Sequence, residues 1–189
     1  MPKIVVIGTS AGGLSALQTL LPGLPSDFPL PLVLVQHRGK ESGSGLCAFL
    51  QKSSRLPLDE PDDKEPIAGG HVYLAPRDYH LLIERGHFTL STEAPVCYAR
   101  PSIDVLFESA ADAYGKETVG VILTGKNRDG ARGLAAIKEC GGLTVIEEPA
   151  TAQSREMPEA ALAIAQPDRV LPLAEIAPFL SSLCQATKR

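Results

Sequence analysis

The stretch that decides the fold is Ile4-Val5-Val6-Ile7-Gly8-Thr9-Ser10-Ala11-Gly12-Gly13. The apolar run Ile4–Ile7 is typical of a short buried strand, and the small residues of Gly8–Gly13 predict a tight turn. Leucines then recur at helical spacing until Pro22 ends the pattern. A strand, a turn and a helix in direct succession begin a β-α-β unit, which implies a parallel sheet.

The same alternation continues along the chain and predicts an α/β fold. We expect a doubly wound, mainly parallel sheet with helices on both faces and a small antiparallel hairpin at one margin. Pro57–Gly70 is acidic and rich in Pro and Gly, which indicates an exposed excursion. The further predicted strands are Leu32–Val35, Val72–Leu74, Val119–Leu123 and Leu143–Ile146, with Leu81–Ile83 and His87–Leu90 forming the hairpin. The further predicted helices are Gly45–Gln51, Ser102–Ala113, Gly130–Cys140, Pro158–Ala165 and Ile176–Cys184.

Length and composition indicate a single globular domain over residues 1–189. Hydrophobic residues make up 44% and charged residues 21% of the chain, and the net charge is −4. That charge and the absence of Trp argue against a nucleic-acid partner. The apolar run at the start is too short for a signal peptide and no stretch is long enough to insert in a membrane, so we expect a cytoplasmic protein. The cysteines at 47, 97, 140 and 184 lack zinc-ligand spacing, which predicts free, mostly buried thiols and no metal.

Ser10 lies in the pattern G-x-S-x-G between the first strand and the first helix. Such a turn exposes the serine hydroxyl, and the N–H groups at the start of the helix stabilise a developing oxyanion. By itself the motif is weak, because a Gly-rich turn after a first strand more often cradles a phosphate or simply turns the chain. The dinucleotide-binding pattern G-x-G-x-x-G is not matched, because Ser10 stands at the position of its second Gly.

Two further polar residues follow the ends of predicted strands. His37 comes just after the second strand, and Asp129 follows Val119–Leu123 in the segment before Gly130. Alone, His37 fits a loop histidine and Asp129 fits a helix N-cap. Because the carboxyl ends of parallel strands meet at one edge of a sheet, Ser10, His37 and Asp129 are predicted to converge as nucleophile, base and orienting carboxylate. This chain order differs from the Ser, Asp, His order of α/β-hydrolases.

Other residues are weaker candidates for substrate or oxyanion binding. We assign Ala11, Lys126, Arg128, Arg100 and His80 to this group. Backbone N–H groups near His37 and Lys126 are candidates for the oxyanion site, and Arg100 is a candidate for an acidic partner. His80 is equally consistent with lining the cleft and with capping a strand.

Several ordered motifs resemble the catalytic domain of the chemotaxis protein-glutamate methylesterase family, from Ile4 to about Leu180. They are Ile7–Gly13, Val35-Gln36-His37, Tyr73–Pro76 with His80, Arg100–Phe107, Gly120–Gly125, Asp129-Gly130-Ala131 and Met157-Pro158. The resemblance implies that Ser10, His37 and Asp129 form the family's catalytic triad. It also implies removal of methyl groups from glutamyl esters on receptor signalling helices, with deamidation of receptor glutamines in some members and with no cofactor.

This chain departs from the family pattern at two places. Lys126-Asn127-Arg128 stand where family members usually carry a hydrophobic residue, a Gly and an Asn, and Ala11 replaces a frequent hydroxyl residue. Family members commonly carry a phosphoacceptor receiver domain ahead of the catalytic domain, whereas this chain starts at the first strand. We therefore expect a methylesterase-like catalytic domain without a receiver domain, whose partners are methylated receptor helices and a separate receiver or regulatory protein. The alternatives are a non-catalytic binding module on the same fold and a hydrolase of small-molecule esters.

Overall fold

The computed structural model describes residues 1–38 and 45–185 and shows a parallel sheet flanked by helices. The strands are β1 (Ile4–Thr9), β2 (Leu32–Gln36), β3 (Leu58–Asp59), β4 (Val72–Leu74), β5 (His80–Glu84), β6 (His87–Ser91), β7 (Thr118–Ile122), β8 (Leu143–Glu147) and β9 (Arg169–Leu171). The helices are α1 (Gly13–Leu20), α2 (Leu46–Gln51), α3 (Ile103–Tyr114), α4 (Ala131–Glu139), α5 (Glu156–Ala165) and α6 (Leu173–Gln185).

The main sheet has seven strands in the order β3-β4-β2-β1-β7-β8-β9, and all neighbours pair in parallel. After β1 the chain winds first towards β2 and later, through β7, in the opposite direction. The order therefore reverses beside β1, and a crevice opens at the carboxyl ends of the strands where such a reversal occurs. β5 and β6 form a separate antiparallel pair.

The core lies on both faces of the sheet. Every residue of β1 is buried, as expected of a central parallel strand covered on two sides. Ile4 and Val6 pack in the cluster that contains the inner faces of α3, α4 and α5. Val5 and Ile7 pack in the cluster that contains α1 and α6. The alternation of side chains along the strand thus supplies two hydrophobic cores and confirms the doubly wound α/β prediction.

The predicted elements differ from the structure in a few places. Gly8 and Thr9 continue strand β1, so the turn is shorter than predicted. The predicted excursion Pro57–Gly70 contributes the edge strand β3, in which Leu58 is buried. β9 was not predicted, because its three residues are partly exposed and lack the apolar run of a buried strand.

The four cysteines are free, but the expectation that most are buried is wrong, since three are half-buried and Cys140 is exposed. Within residues 1–38 and 45–185, every helix is too short or too polar to cross a lipid bilayer.

Candidate active site

Three chain segments meet at the carboxyl edge of the sheet. Ser10 follows β1, His37 follows β2 and Asp129 lies in the loop between β7 and α4. The His37 backbone N–H donates to Thr9 O (3.0 Å) and the Ser10 backbone N–H donates to Thr124 O (3.0 Å). These bonds place the serine turn directly between the ends of its two neighbouring strands.

The Gln36 side chain joins the serine turn to the histidine. Its Nε2 donates to the backbone carbonyls of Ser10 (3.0 Å) and His37 (2.9 Å). Gln36 is 8% exposed, so these bonds are shielded from solvent. The amide therefore fixes the separation of the two backbone segments that carry the candidate nucleophile and base.

Gly13, the first residue of α1, leaves the space that Gln36 occupies. A Cβ at this position would lie 2.1 Å from Gln36 Oε1 and 2.4 Å from Thr9 Oγ1.

We expect Gly13→Ala to displace the Gln36 amide, to lower the free energy of unfolding by about 1–3 kcal/mol and to reduce activity. Urea unfolding and ester hydrolysis measure the two effects. Gly45→Ala is the matched control, because no atom of the described residues beyond its chain neighbours lies within 4 Å of its added Cβ and its φ is −89°. Equal stability of the Gly13 variant and the parent protein would contradict the prediction.

Asp129 is fully buried and accepts hydrogen bonds at both carboxylate oxygens. Oδ1 accepts from Ser102 Oγ (2.8 Å) and the Asp104 N–H (3.0 Å), and Oδ2 accepts from the Ile103 N–H (2.7 Å) and His37 Nε2 (2.7 Å). The two backbone donors lie in the first turn of α3, where N–H groups have no partner within the helix and the helix dipole favours a negative charge. Burial opposes ionisation of Asp129, but the hydrogen bonds from His37, Asp104 and Ile103 outweigh it and hold the pKa below its ordinary value.

The contact with Asp129 defines the tautomer of His37. An ionised carboxylate only accepts hydrogen bonds, so His37 Nε2 carries the hydrogen that Oδ2 accepts. In the neutral ring Nδ1 is then the basic nitrogen, and it lies 3.3 Å from Asn127 Nδ2. The His37 side chain is 12% exposed. The ring is thus oriented by one side chain at each nitrogen.

Asp104 and Asp129 each bind the start of the helix next to the other: Asp129 binds N–H groups of α3, and Asp104 binds N–H groups at the start of α4. Asp104 Oδ1 accepts from the N–H groups of Gly130 (2.9 Å) and Gly133 (2.8 Å) at the start of α4. Its Oδ2 is buried and lacks a hydrogen-bond partner among the described residues. Burial raises the pKa of Asp104, the Gly133 N–H partly offsets this, and the charge of Asp129 adds to the rise. Folding therefore shifts the two neighbouring carboxyl groups in opposite directions, since the pKa of Asp104 is raised and that of Asp129 is lowered.

We expect replacement of Asp104 by asparagine to alter the pH dependence of stability. A carboxyl group whose pKa is raised by folding stabilises the protein below its unfolded pKa, which is about 4, and this contribution is lost as pH rises to the folded pKa. Asp104→Asn removes that loss, so the variant gains stability relative to the parent as pH rises through this window. Urea unfolding at a series of pH values measures the difference. Asp112→Asn, at an exposed position of α3, is the control. A difference between Asp104→Asn and the parent that is constant with pH would refute this assignment.

The Ser10 hydroxyl makes no hydrogen bond to any residue that the structure describes. Ser10 itself is half-buried. The backbone N–H groups of Ala11 and Gly12 also lack an acceptor within the described residues, whereas the N–H of His37 is occupied by Thr9 O. Two free donors beside a free hydroxyl are the arrangement that an oxyanion requires.

Cavities lined by described residues lie on the side of the site that carries His37 and Asn127. One of about 230 Å³ is lined by His37, Arg38, Asp78, Pro95, Cys97, Tyr98, Ala99, Arg100, Pro101 and Asn127. The other, of about 390 Å³, is lined by Cys97, Tyr98, Asn127, Arg128, Glu156 and Ala160. Ser10 lines neither of them. Tyr98 is fully exposed between the cavities, in a two-residue turn where Cys97 and Tyr98 both have positive φ values (49° and 63°).

Among the described residues, one group of side chains is close enough together to bind a metal ion. One ligand atom from each of Cys97, Asp104 and Asp129 lies within 4.8 Å of the others. However, both oxygens of Asp129 and one oxygen of Asp104 already accept hydrogen bonds. The remaining thiol and carboxyl oxygen are too few ligands for a stable cation site.

The sequence and the fold both place this chain in a known family. Residues 5–180 match the CheB methylesterase family. The chain belongs to this family. It is 47% identical to the putative protein-glutamate methylesterase/protein-glutamine glutaminase of Leptospira interrogans (strain Fiocruz L1-130), over 97% of this chain and 95% of that protein. It is 44% identical to protein-glutamate methylesterase/protein-glutamine glutaminase 2 of Anaeromyxobacter dehalogenans, over 96% of this chain but 53% of that protein.

A solved structure agrees with the assignment to the CheB methylesterase family. The crystal structure of the Thermotoga maritima CheB methylesterase catalytic domain superposes with a TM-score of 0.91 and 36% identity, over 97% of this chain and 99% of that one. The resemblance inferred from the sequence is thereby confirmed, together with the prediction of a hydrolase of the methylesterase class.

The other residues predicted for substrate or oxyanion binding lie in different surroundings. Arg128 lines the larger cavity, and Lys126 is exposed outside both cavities. Arg100 lines the smaller cavity, but its guanidinium is bound to Asp78 and to the carbonyls of Thr92 and Glu93. His80 does not line the cleft: it is 1% exposed, and its ring accepts from the Ser102 N–H and contacts Ala94 O. His80 thus supports the residue that caps α3.

Sequence reasoning missed the roles of four polar side chains at this site. They are Gln36, Ser102 and Asn127, which bind the triad candidates or their backbone, and Asp104, whose carboxyl group accepts from the N–H groups of Gly130 and Gly133 after Asp129. A signal existed for Asp104, because it lies three residues before the apolar Phe107 and therefore on the buried face of α3. The contact of Asn127 depends on the loop conformation, which no periodic pattern encodes.

Proposed function

We propose that this chain is a serine hydrolase that removes methyl groups from glutamyl methyl esters of chemotaxis-type receptors. Ser10 is the nucleophile, His37 the general base and Asp129 the carboxylate that orients the base. The observation that carries the proposal is the 2.7 Å bond between His37 Nε2 and the buried Asp129 carboxylate, beside the serine turn. Membership of the CheB methylesterase family and the names of the relatives support the substrate class.

The acylation step uses the free nitrogen of the histidine ring. The Ser10 oxygen attacks the γ-carbonyl carbon of the methyl-glutamyl residue, and its proton passes to His37 Nδ1. The carbonyl oxygen becomes an oxyanion, and it accepts from the N–H groups of Ala11 and Gly12, which lack an acceptor among the described residues. The bond to the methoxy group then breaks, the proton on Nδ1 passes to that oxygen, and methanol leaves an acyl-enzyme on Ser10.

Deacylation repeats these steps with water. His37 Nδ1 takes a proton from a water molecule as that water attacks the acyl-enzyme, and it returns the proton to the Ser10 oxygen as the ester bond breaks. The products are a glutamate side chain and free enzyme. The same steps release ammonia from a glutamine side chain, so the site also suits the glutaminase activity that the relatives' names state.

The substrate side of the proposal concerns receptor helices. We infer that residues 1–189 act as one catalytic domain in the cytoplasm, where they meet methylated receptor signalling helices. The exposed cations of Lys126 and Arg128 lie in the same loop as Asp129. They carry no ion pair among the described residues and therefore suit an acidic polypeptide.

Mass spectrometry of a methylated receptor helix tests the function directly. Incubation with the protein is expected to remove the mass of one methylene group from each methyl-glutamyl residue and to release methanol. An unchanged peptide would refute the methylesterase. A serine-directed fluorophosphonate probe, read by peptide mapping, separates the alternatives: labelling at Ser10 supports a serine hydrolase, whereas an unlabelled Ser10 favours a non-catalytic module. A panel of small esters run beside the peptide exposes a small-molecule esterase.

A further inference from the structure

The Asn127 side chain contacts the one basic nitrogen of His37. Asn127 Nδ2 lies 3.3 Å from His37 Nδ1, and Asn127 Oδ1 accepts the backbone N–H of Asp129 at 3.1 Å. A backbone N–H can only donate, so the second bond fixes which end of the amide is oxygen. The NH₂ group of Asn127 therefore faces Nδ1 and donates to it.

Both nitrogens of the His37 ring therefore form hydrogen bonds with side chains of the loop between β7 and α4. Asp129 accepts from Nε2, and Asn127 donates to Nδ1. Since the Asp129 carboxylate keeps the hydrogen on Nε2, a proton from Ser10 can be accepted only at Nδ1. That nitrogen becomes available only when the Asn127 amide moves away.

Asn127 also lies where a substrate would reach it. It lines the cavity of about 230 Å³ together with His37, and it also lines the cavity of about 390 Å³, to which His37 does not contribute. A substrate carbonyl or amide in either cavity offers the Asn127 NH₂ group a different acceptor.

We propose that Asn127 is a positioning residue that holds His37 Nδ1 in the resting protein and releases it when substrate occupies the adjoining cavities. The inference rests on the proposed function, because it assigns the proton transfer from Ser10 to Nδ1. It makes the reactivity of Ser10 depend on a side chain that does not itself react.

Asn127→Ser is the variant that separates this role from a structural one. A serine hydroxyl can still accept the N–H of the residue two positions later, so the turn before Asp129 is retained, but the shorter side chain does not reach Nδ1. We expect Ser10 in this variant to react with a fluorophosphonate probe about three- to tenfold faster than in the parent, the factor that one ordinary hydrogen bond is worth. Gln18→Ser, an exchange of an exposed amide on α1, is the matched control and is expected to react at the parental rate.

Nitrogen NMR of the protein labelled with ¹⁵N-histidine supplies a readout that does not depend on activity. In Asn127→Ser the Nδ1 resonance of His37 is expected to move towards that of an imidazole nitrogen without a hydrogen-bond donor, while the Nε2 resonance stays in place. The His37→Gln spectrum assigns the signals. An unchanged Nδ1 resonance shows that Asn127 does not hold the ring and overturns the proposal. Labelling equal to or slower than the parental rate also overturns it, and slower labelling indicates a donor to the oxyanion instead.

The outcomes also distinguish this inference from the proposed function. Labelling of Ser10 in the parent, combined with an unchanged rate in Asn127→Ser, overturns the role of Asn127 and leaves Ser10 as the nucleophile. Absence of labelling in both proteins refutes Ser10 as the nucleophile and the role of Asn127 with it. Asn127→Gly provides the second variant if the serine variant proves unstable in thermal unfolding, and the same increase in labelling is expected.

Discussion

Ser10→Ala is expected to lower kcat for a methylated receptor peptide by about 10⁴–10⁶. The groups of a catalytic triad act as a unit, so loss of the nucleophile removes the acyl-enzyme route entirely. Folding should be almost unaffected, because the Ser10 hydroxyl makes no hydrogen bond to any described residue and its backbone bonds to Thr124 and Gly13 remain. Methanol release measured under saturating peptide gives kcat, and thermal unfolding gives stability.

The matched control is Ser15→Ala, which removes an exposed hydroxyl from α1. It should keep parental kcat. Loss of the fluorophosphonate label in Ser10→Ala alone would link the kinetic effect to the labelled side chain. Normal turnover by the Ser10 variant would end the proposal, since no covalent intermediate can form without that oxygen.

The meeting of the three chain segments that carry Ser10, His37 and Asp129 was predictable, because the ends of buried strands can be recognised in the sequence. The apolar runs of β1, β2 and β7 are buried on both faces, which makes their ends recognisable in the sequence. Parallel strands bring their carboxyl ends to one edge, so polar residues that follow them are expected to be neighbours. The burial of Asp129 by α3 was not predictable, because it requires the crossing of α3 with the loop before α4.

The features missed in the sequence share a physical cause. β3 and β9 are short edge strands, whose pairing is decided by neighbours and not by their own side chains. On α3 the polar Asp104 is buried, whereas the apolar Val105 beside it is half-buried. The polarity of Asp104 concealed its position, although the N–H groups of α4 satisfy one of its oxygens.

Asp129→Asn is expected to lower kcat by about 10⁴, mainly through the tautomer of His37. The asparagine NH₂ group would donate to Nε2 where the carboxylate now accepts, so the ring hydrogen would move to Nδ1. A protonated Nδ1 cannot take the proton of Ser10. Methanol release and fluorophosphonate labelling should therefore fall together, although the serine hydroxyl is still present. Parental labelling in this variant would show that Asp129 does not orient the base.

Stability provides the second measurement on the Asp129→Asn variant. The carboxylate accepts four hydrogen bonds in a fully buried position, and the asparagine must turn an NH₂ group towards some of these donors. We expect the free energy of unfolding to fall by about 3 kcal/mol or more at neutral pH, as when one partner of a buried charged pair is removed.

Because folding lowers the pKa of Asp129, its stabilising contribution is present above the unfolded pKa of about 4 and is lost as pH falls through the folded pKa. The stability gap between the parent and the variant should therefore narrow in acid, which is opposite to the trend expected for Asp104→Asn. Urea unfolding of both variants over the same pH series would show which carboxyl group carries the charge, and a gap for Asp129→Asn that widens in acid would contradict the assignment.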